Sequence, residues 1–306
     1  MTAALFHKTD EWHEQRRNGI GSSDAGIIMG VGLQTRYDLW KLKVGLSEPL
    51  DLSGNSAVRV GIVLEDAVAD VAASDNPTWK IRKRSIAVHS KHYPFAYAHL
   101  DRILNDGEQA GIPFEIKTAG YPGEWGATGT SDIPHYYLPQ IQHQLAATGK
   151  PYARLAVFIL ATREFRYYKI ERNDAYIAAL METEAQFWEC VLDHVEPEPM
   201  NAADVIARFP SPLNSIAADE VALVAAKRYK EINALLAGLE AEKEKLRDVL
   251  AVAMGECEAL TANGKTIATF KAEKRTTIES KRLAADQPET AAAYSVTTSS
   301  RKLLVK

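Results

Sequence analysis

Between Phe95 and Ala119 two strand-like segments, FAYAHLDRIL and IPFEIKTA, flank the polar, glycine-containing stretch from Asn105 to Gly111. Apolar alternation broken by such a turn predicts a β-hairpin, which requires a sheet and a core against one of its faces. Residues two apart in a strand share a face, so Glu115 and Lys117 project together while Phe114 and Ile116 face the opposite side. If Asp101 lies across the hairpin, two carboxylates converge beside a lysine. Such a pocket suits a hard, octahedral cation such as Mg²⁺. The same three residues also fit a plain alternative, a solvated Glu-Lys pair with a nearby aspartate.

Further elements surround the hairpin. Gly61 to Ala73 reads as a largely buried helix, apolar at Ile62, Leu64, Val68 and Val71. Glu65 and Asp66 lie within it, and a carboxylate there is paired, metal-bound or turned to solvent. Tyr136 to Gly149 predicts a helix beginning near Pro139. Its Gln140, Gln142 and Gln144 cannot all share one helix face, so at most one or two point at a site. Tyr152 to Leu160 and Glu164 to Ile170 predict a further strand pair, and Asn173 opens a helix to His194. Asp10 is expected to cap a helix over Glu11 to Asn18. The small-residue turn Gly19 to Asp24 then opens a helix, where backbone N–H groups, hydroxyls and Arg16 or Arg17 suit a phosphate if the turn is more than a cap.

Pro197, Pro199, Pro210 and Pro212 mark a linker, so a core over 1–213 is expected to precede a module over 214–306. Ser215 is the expected cap of a helical stretch from Ile216 to Met254, an arm or helical hairpin, and Asn263-Gly264 predicts a second β-hairpin turn. Residues 263–306 carry nine Lys or Arg against four Asp or Glu, whereas the net charge of the whole chain is −4. The C-terminus is thus the basic end, either a solvated tail or a contact for an acidic partner. Two cysteines, Cys190 and Cys257, form no Cys-x-x-Cys pair, which excludes a four-thiolate zinc or iron-sulfur site. Any metal uses oxygen ligands. Apolar runs fall far short of the roughly 20 residues that span a bilayer, and residues 1–20 are too polar for a signal peptide, so a cytoplasmic location is expected.

The order of these pieces resembles the phage-type alkaline exonucleases, the lambda exonuclease and YqaJ group of the PD-(D/E)xK nuclease superfamily. The resemblance runs from Trp12-His13-Glu14-Gln15-Arg16 and GIGSSD through Gly61-x-x-x-Glu65, Asp101 and Glu115-Ile116-Lys117 to Gln140-Ile141-Gln142-His143-Gln144. It extends to the C-terminal SKRLAADQPETAAAY and TTSSRKLLVK. It implies an α/β, restriction-endonuclease-like core with a central mixed sheet flanked by helices, followed by a helical and β-hairpin module. It also implies metal ligation by Asp101, Glu115 and Glu65, with Lys117 and Gln142 at the catalytic centre and Arg16 and Ser23 at a terminal 5′-phosphate. The implied cofactor is Mg²⁺, with Mn²⁺ as a substitute.

The implied activity is 5′-to-3′ degradation of one strand of double-stranded DNA from its ends to mononucleotides, leaving a 3′ single strand. The implied partners are two further copies in a toroidal homotrimer and a single-strand annealing recombinase, in the cytoplasm of a bacterial host. Two departures stand out: Arg102 follows Asp101 where many relatives carry glycine, and no arginine follows Lys117 in Thr118-Ala119-Gly120-Tyr121. A repair- or restriction-type endonuclease and an inert DNA-binding assembly protein are the rival expectations.

Overall fold

The computed structural model describes residues 14, 16–32, 34–211, 215–296 and 301–305. Asp10, Trp12, His13, Gln15, Pro212 and residues 297–300 lie outside them. The chain divides into two units, Met1–Phe209 and Pro210–Lys306. Among the described residues, no helix is long and apolar enough to cross a membrane.

In the first unit, strands β2 (Lys80–Lys83), β5 (Arg102–Asn105), β6 (Ile112–Ala119), β7 (Tyr152–Ile159) and β8 (Glu164–Glu171) form one sheet in the order β2-β5-β6-β7-β8. Within this sheet only β6 and β7 run parallel, pairing Glu115 with Leu155 and Lys117 with Val157. The connection between them is helix α4 (Leu138–Thr148), because parallel neighbours require a crossover. Helix α3 (Ser56–Asp75) precedes the antiparallel β2-β5-β6 group. The resulting order, helix, three antiparallel strands, helix, parallel strand, gives a mixed α/β sheet flanked by helices, the architecture the resemblance implied.

Period-two alternation divides the two faces. Phe114 and Ile116 of β6 and Ala156 of β7 pack on Val68, Ala69 and Ala72 of α3. Leu155, Val157 and Ile159 point the other way, onto Ile141 and Leu145 of α4 and onto Leu180 and Met181 of α5 (Asp174–Leu192). Asn173 caps α5 by accepting from the Tyr176 amide at 3.0 Å, and Gly149 ends α4 at φ 68°, a left-handed conformation that glycine adopts without strain.

The segment FAYAHLDRIL departs from the expected single strand. Its first half is β4 (Ala96–Ala98), which joins β1 (Ile20–Gly21) and β3 (Val88–His89) in a separate small sheet. Its second half enters the main sheet as β5, so Asp101 sits at the crossing between sheets. Beyond β1 a single turn, Ser22–Asp24, leads into α1 (Ala25–Ile28) and then α2 (Arg36–Lys43). Helix α6 (Ala202–Arg208) follows α5, and Asp204 at its first turn accepts from the Arg36 amide at 2.6 Å.

The second unit is built on one 35-residue helix, α7 (Glu220–Met254). It starts later than the expected Ile216 because Asp219 supplies the cap, accepting from the Ala222 amide at 2.7 Å. The hairpin β9 (Ala259–Ala262) and β10 (Lys265–Thr269) turns on Asn263 and Gly264, both at positive φ as a two-residue turn requires. Short helices α8 (Ser280–Asp286) and α9 (Pro288–Ala293) follow.

Candidate active site

Strand β6 presents Glu115 and Lys117 to α4, on the face opposite Phe114 and Ile116. Glu115 is only 2% exposed, and burying a carboxylate demands partners. Its Oε1 accepts from Lys117 Nζ at 2.5 Å and from Gln140 Nε2 at 2.6 Å, and its Oε2 accepts from Gln144 Nε2 at 2.6 Å. Lys117 also donates to Gln140 Oε1 at 3.2 Å. Gln140 and Gln144 are one helical turn apart and share a face of α4, which is why both reach one carboxylate. Asp101 arrives from the β4–β5 crossing, and its Oδ2 accepts from the Ile116 amide at 2.9 Å.

Charge within this cluster is strongly coupled. Burial and the Glu115 carboxylate raise Asp101 to about 7, only partly offset by Lys117 and the Ile116 amide. Burial opposes the Lys117 ammonium, yet Glu115 and Asp101 outweigh it and raise its pKa. Lys117 Nζ also lies 5.0 Å from the centre of the Tyr137 ring, a cation–π contact.

Glu65 takes a different partner. Its Oε1 accepts from Arg102 at 2.5 Å, and Arg102, only 4% exposed, also pairs with Asp66 and donates to the Asp101 carbonyl. Among the described residues, no three His, Cys, Asp or Glu gather as a metal-binding group. The expected three-carboxylate set is therefore not assembled: Arg102 holds Glu65, while Asp101 and Glu115 remain together. That pair fits a hard divalent cation, because its donors are all oxygen and their repulsion is what a cation relieves.

Gln142 is a correction. It faces away from Glu115, donating to the Glu171 carbonyl at 2.8 Å and accepting from the Asn173 amide at 3.0 Å. It pins the end of β8 to the start of α5. Gln140 and Gln144 occupy the place at Glu115 that was expected of it.

Arg16 and Ser23 belong to the loop around β1, away from this carboxylate cluster in the sequence but on the same unit. Arg16 Nη2 pairs with Asp24 Oδ1 at 2.6 Å, and Ser23 is exposed. Asp24 is fully buried and also accepts from Lys43 Nζ at 2.7 Å and from the Gly21 amide at 3.1 Å. Burial pushes Asp24 up, but Lys43 and Arg16 prevail and hold it at about 2. Lys43 further donates to the carbonyls of Arg16, at 2.5 Å, and Gly19, at 2.6 Å. This buried lysine ties the loop together, and nothing in the charged run of α2 singled it out.

His143 was likewise missed. Its Nδ1 faces Glu184 at 2.9 Å and its Nε2 faces the Tyr97 carbonyl at 2.9 Å, both fully inside the core. Burial opposes a charge on the ring, but the Glu184 carboxylate and the Tyr97 carbonyl outweigh it and raise its pKa.

Apart from Glu171, Asn173 and Glu184, these residues fall within 11–151, and 11–151 matches the model of the YqaJ-like viral recombinase domain. This segment is similar to YqaJ-like viral recombinase domains over a little under half of the chain. The uncharacterized protein YqaJ of Bacillus subtilis (strain 168) is 34% identical over 182 residues, a match covering 58% of this chain and 55% of that protein. The chain thus spans about half the length of this curated relative. Similar solved structures include an alkaline exonuclease from Laribacter hongkongensis, at 18% identity and TM-score 0.48, covering 61% of this chain and 95% of that one. A phage-related exonuclease from Haemophilus somnus 129PT aligns at 10% identity and TM-score 0.43, covering 57% and 96%. The YqaJ-like segment runs from the loop of Arg16 to the end of α4, and so contains the whole Asp101, Glu115, Lys117, Gln140 and Gln144 cluster.

Proposed function

We propose that the chain is a metal-dependent deoxyribonuclease that degrades one strand of duplex DNA from its 5′ end. The observation that carries this reading is the convergence of Asp101, Glu115 and Lys117 beside β6, inside the segment that matches the YqaJ-like viral recombinase model. Asp101 and Glu115 would hold the cation. Bound there, Mg²⁺, or Mn²⁺ in its place, supplies charge neutralisation at the phosphodiester and a more acidic water. Lys117 offsets phosphate charge and orients the attacking water through its donor hydrogens. Gln140 and Gln144 fix the Glu115 carboxylate, so it need not reorganise during the reaction. Glu65 acts through Arg102 and through its charge beside Asp101.

Arg16 and Ser23 are the proposed contacts of the terminal 5′-phosphate, on a loop that Asp24 and Lys43 make rigid. Three copies closing around a duplex would keep it from diffusing away between cuts, and the exposed 3′ strand would pass to a single-strand annealing recombinase in the bacterial cytoplasm. Linear duplex labelled at either end, with and without a 5′-phosphate, tests the reading in Mg²⁺. Loss of the strand from its 5′ end, faster when phosphorylated, is expected, with closed circular duplex left intact. Cutting of the circle favours a repair- or restriction-type endonuclease, and binding without nucleotide release favours an inert assembly protein.

A further inference from the structure

The loop that leaves β6 and the turn that enters α4 enclose a cavity of about 360 Å³ lined by Thr118, Tyr121, Trp125, Tyr136 and Tyr137, among others. That volume lies in the ~300–1,000 Å³ range of small-ligand clefts. Its wall is a row of aromatic rings leading from the core to solvent. Trp125 is buried against Tyr168, with ring centres 5.6 Å apart, and against Tyr137 at 5.5 Å. Tyr137 in turn touches Tyr136 at 4.6 Å. The inner rings are fixed by packing, whereas Tyr136 is 40% exposed and Tyr121, on the loop, 79% exposed. Leaving two such rings in water forgoes their burial, which marks the hollow as a surface suited to a flat apolar partner.

Tyr137 belongs to both places. It lines the cavity and carries Lys117 Nζ over its ring. A nucleotide whose phosphate met Lys117 would bring its base within reach of these rings. We propose that the cavity is a nucleobase subsite: the base of the nucleotide being removed leaves the helical stack and lies against Tyr136 and Tyr137, with Tyr121 as the opposite wall. The proposal rests on the nuclease reading of the Asp101, Glu115 and Lys117 cluster. Every base has a π-face, so this contact accepts all four and favours no sequence. It also offsets the unstacking needed to expose the terminal phosphodiester.

Equilibrium binding in Ca²⁺, followed by fluorescence anisotropy, separates this subsite from catalysis. The substrates are two duplexes, one with an intact 5′-terminal nucleotide and one with an abasic residue there. Removing the base is expected to weaken binding to the wild-type chain about tenfold, the scale of one base–aromatic stack. The Tyr121→Ala, Tyr136→Ala double variant should bind both duplexes equally, and the Tyr121→Phe, Tyr136→Phe variant should restore the difference. Equal binding of both duplexes by the wild-type chain overturns the proposal, as does a tenfold loss that persists in the alanine variant. A chain that shows the base dependence but releases no nucleotide in Mg²⁺ keeps the subsite and refutes the nuclease reading. One that degrades duplex ends without base dependence does the reverse.

Discussion

At the scale of single residues, two glutamines on one helix do opposite jobs. Gln144 spends its amide on Glu115, while Gln142, two positions away, joins β8 to α5. Gln144→Ala should therefore lower kcat by tenfold or more, because it loosens the Glu115 carboxylate, and should lower the melting temperature as well, because the side chain is fully buried. Gln142→Ala should change stability alone. It leaves the Glu171 carbonyl and the Asn173 amide without their partner, at a cost of about 1–3 kcal/mol seen in urea unfolding, and leaves kcat close to wild type. The sequence could limit the glutamines facing the site to one or two, but not choose among them, since that depends on how α4 is rotated against β6. Arg102 shows the same limit. Its departure from glycine was visible, yet its grip on Glu65 required knowing that α3 passes above β5.

Among the elements, those whose periodicity and end signals agreed were legible. The β5–β6 hairpin, α3, α4, β7, β8 and the Asn263-Gly264 turn all follow from alternation, caps or turn residues close in sequence. Long-range pairing was not legible: β4 separates from β5 to join β1, and α2 sends Lys43 back to the Gly19–Asp24 loop. That loop supplies a pH prediction. Asp24 is held at about 2, below its unfolded value of 3.8, so its stabilising contribution is complete above that unfolded value and is lost as the pH falls toward 2. The lost contribution is about 2 kcal/mol. Unfolding midpoints measured between pH 5 and pH 2 should fall steeply in the wild-type chain. An Asp24→Asn variant should be less stable at pH 7, with a shallower fall. Equal slopes would show that Asp24 does not carry this linkage.

For the whole molecule, the charge distribution and the division into units bear on how it meets DNA. The nuclease reading rests on the first unit, while the basic C-terminal residues lie in the second. If those residues contact phosphates, duplex affinity should fall linearly with log salt, and truncation at Phe270 should reduce that slope while single-turnover cleavage persists at low salt. The central claim, that Asp101, Glu115 and Lys117 form a metal-dependent centre cutting duplex DNA, is tested most directly by nucleotide release from a 5′-phosphorylated linear duplex, comparing the wild-type chain with Lys117→Ala. Release in Mg²⁺ that stops in EDTA, and a Lys117→Ala chain that binds duplex at near wild-type affinity but releases at least a thousandfold more slowly, is the predicted result. Near-normal release by Lys117→Ala, or release undiminished in EDTA, would contradict it.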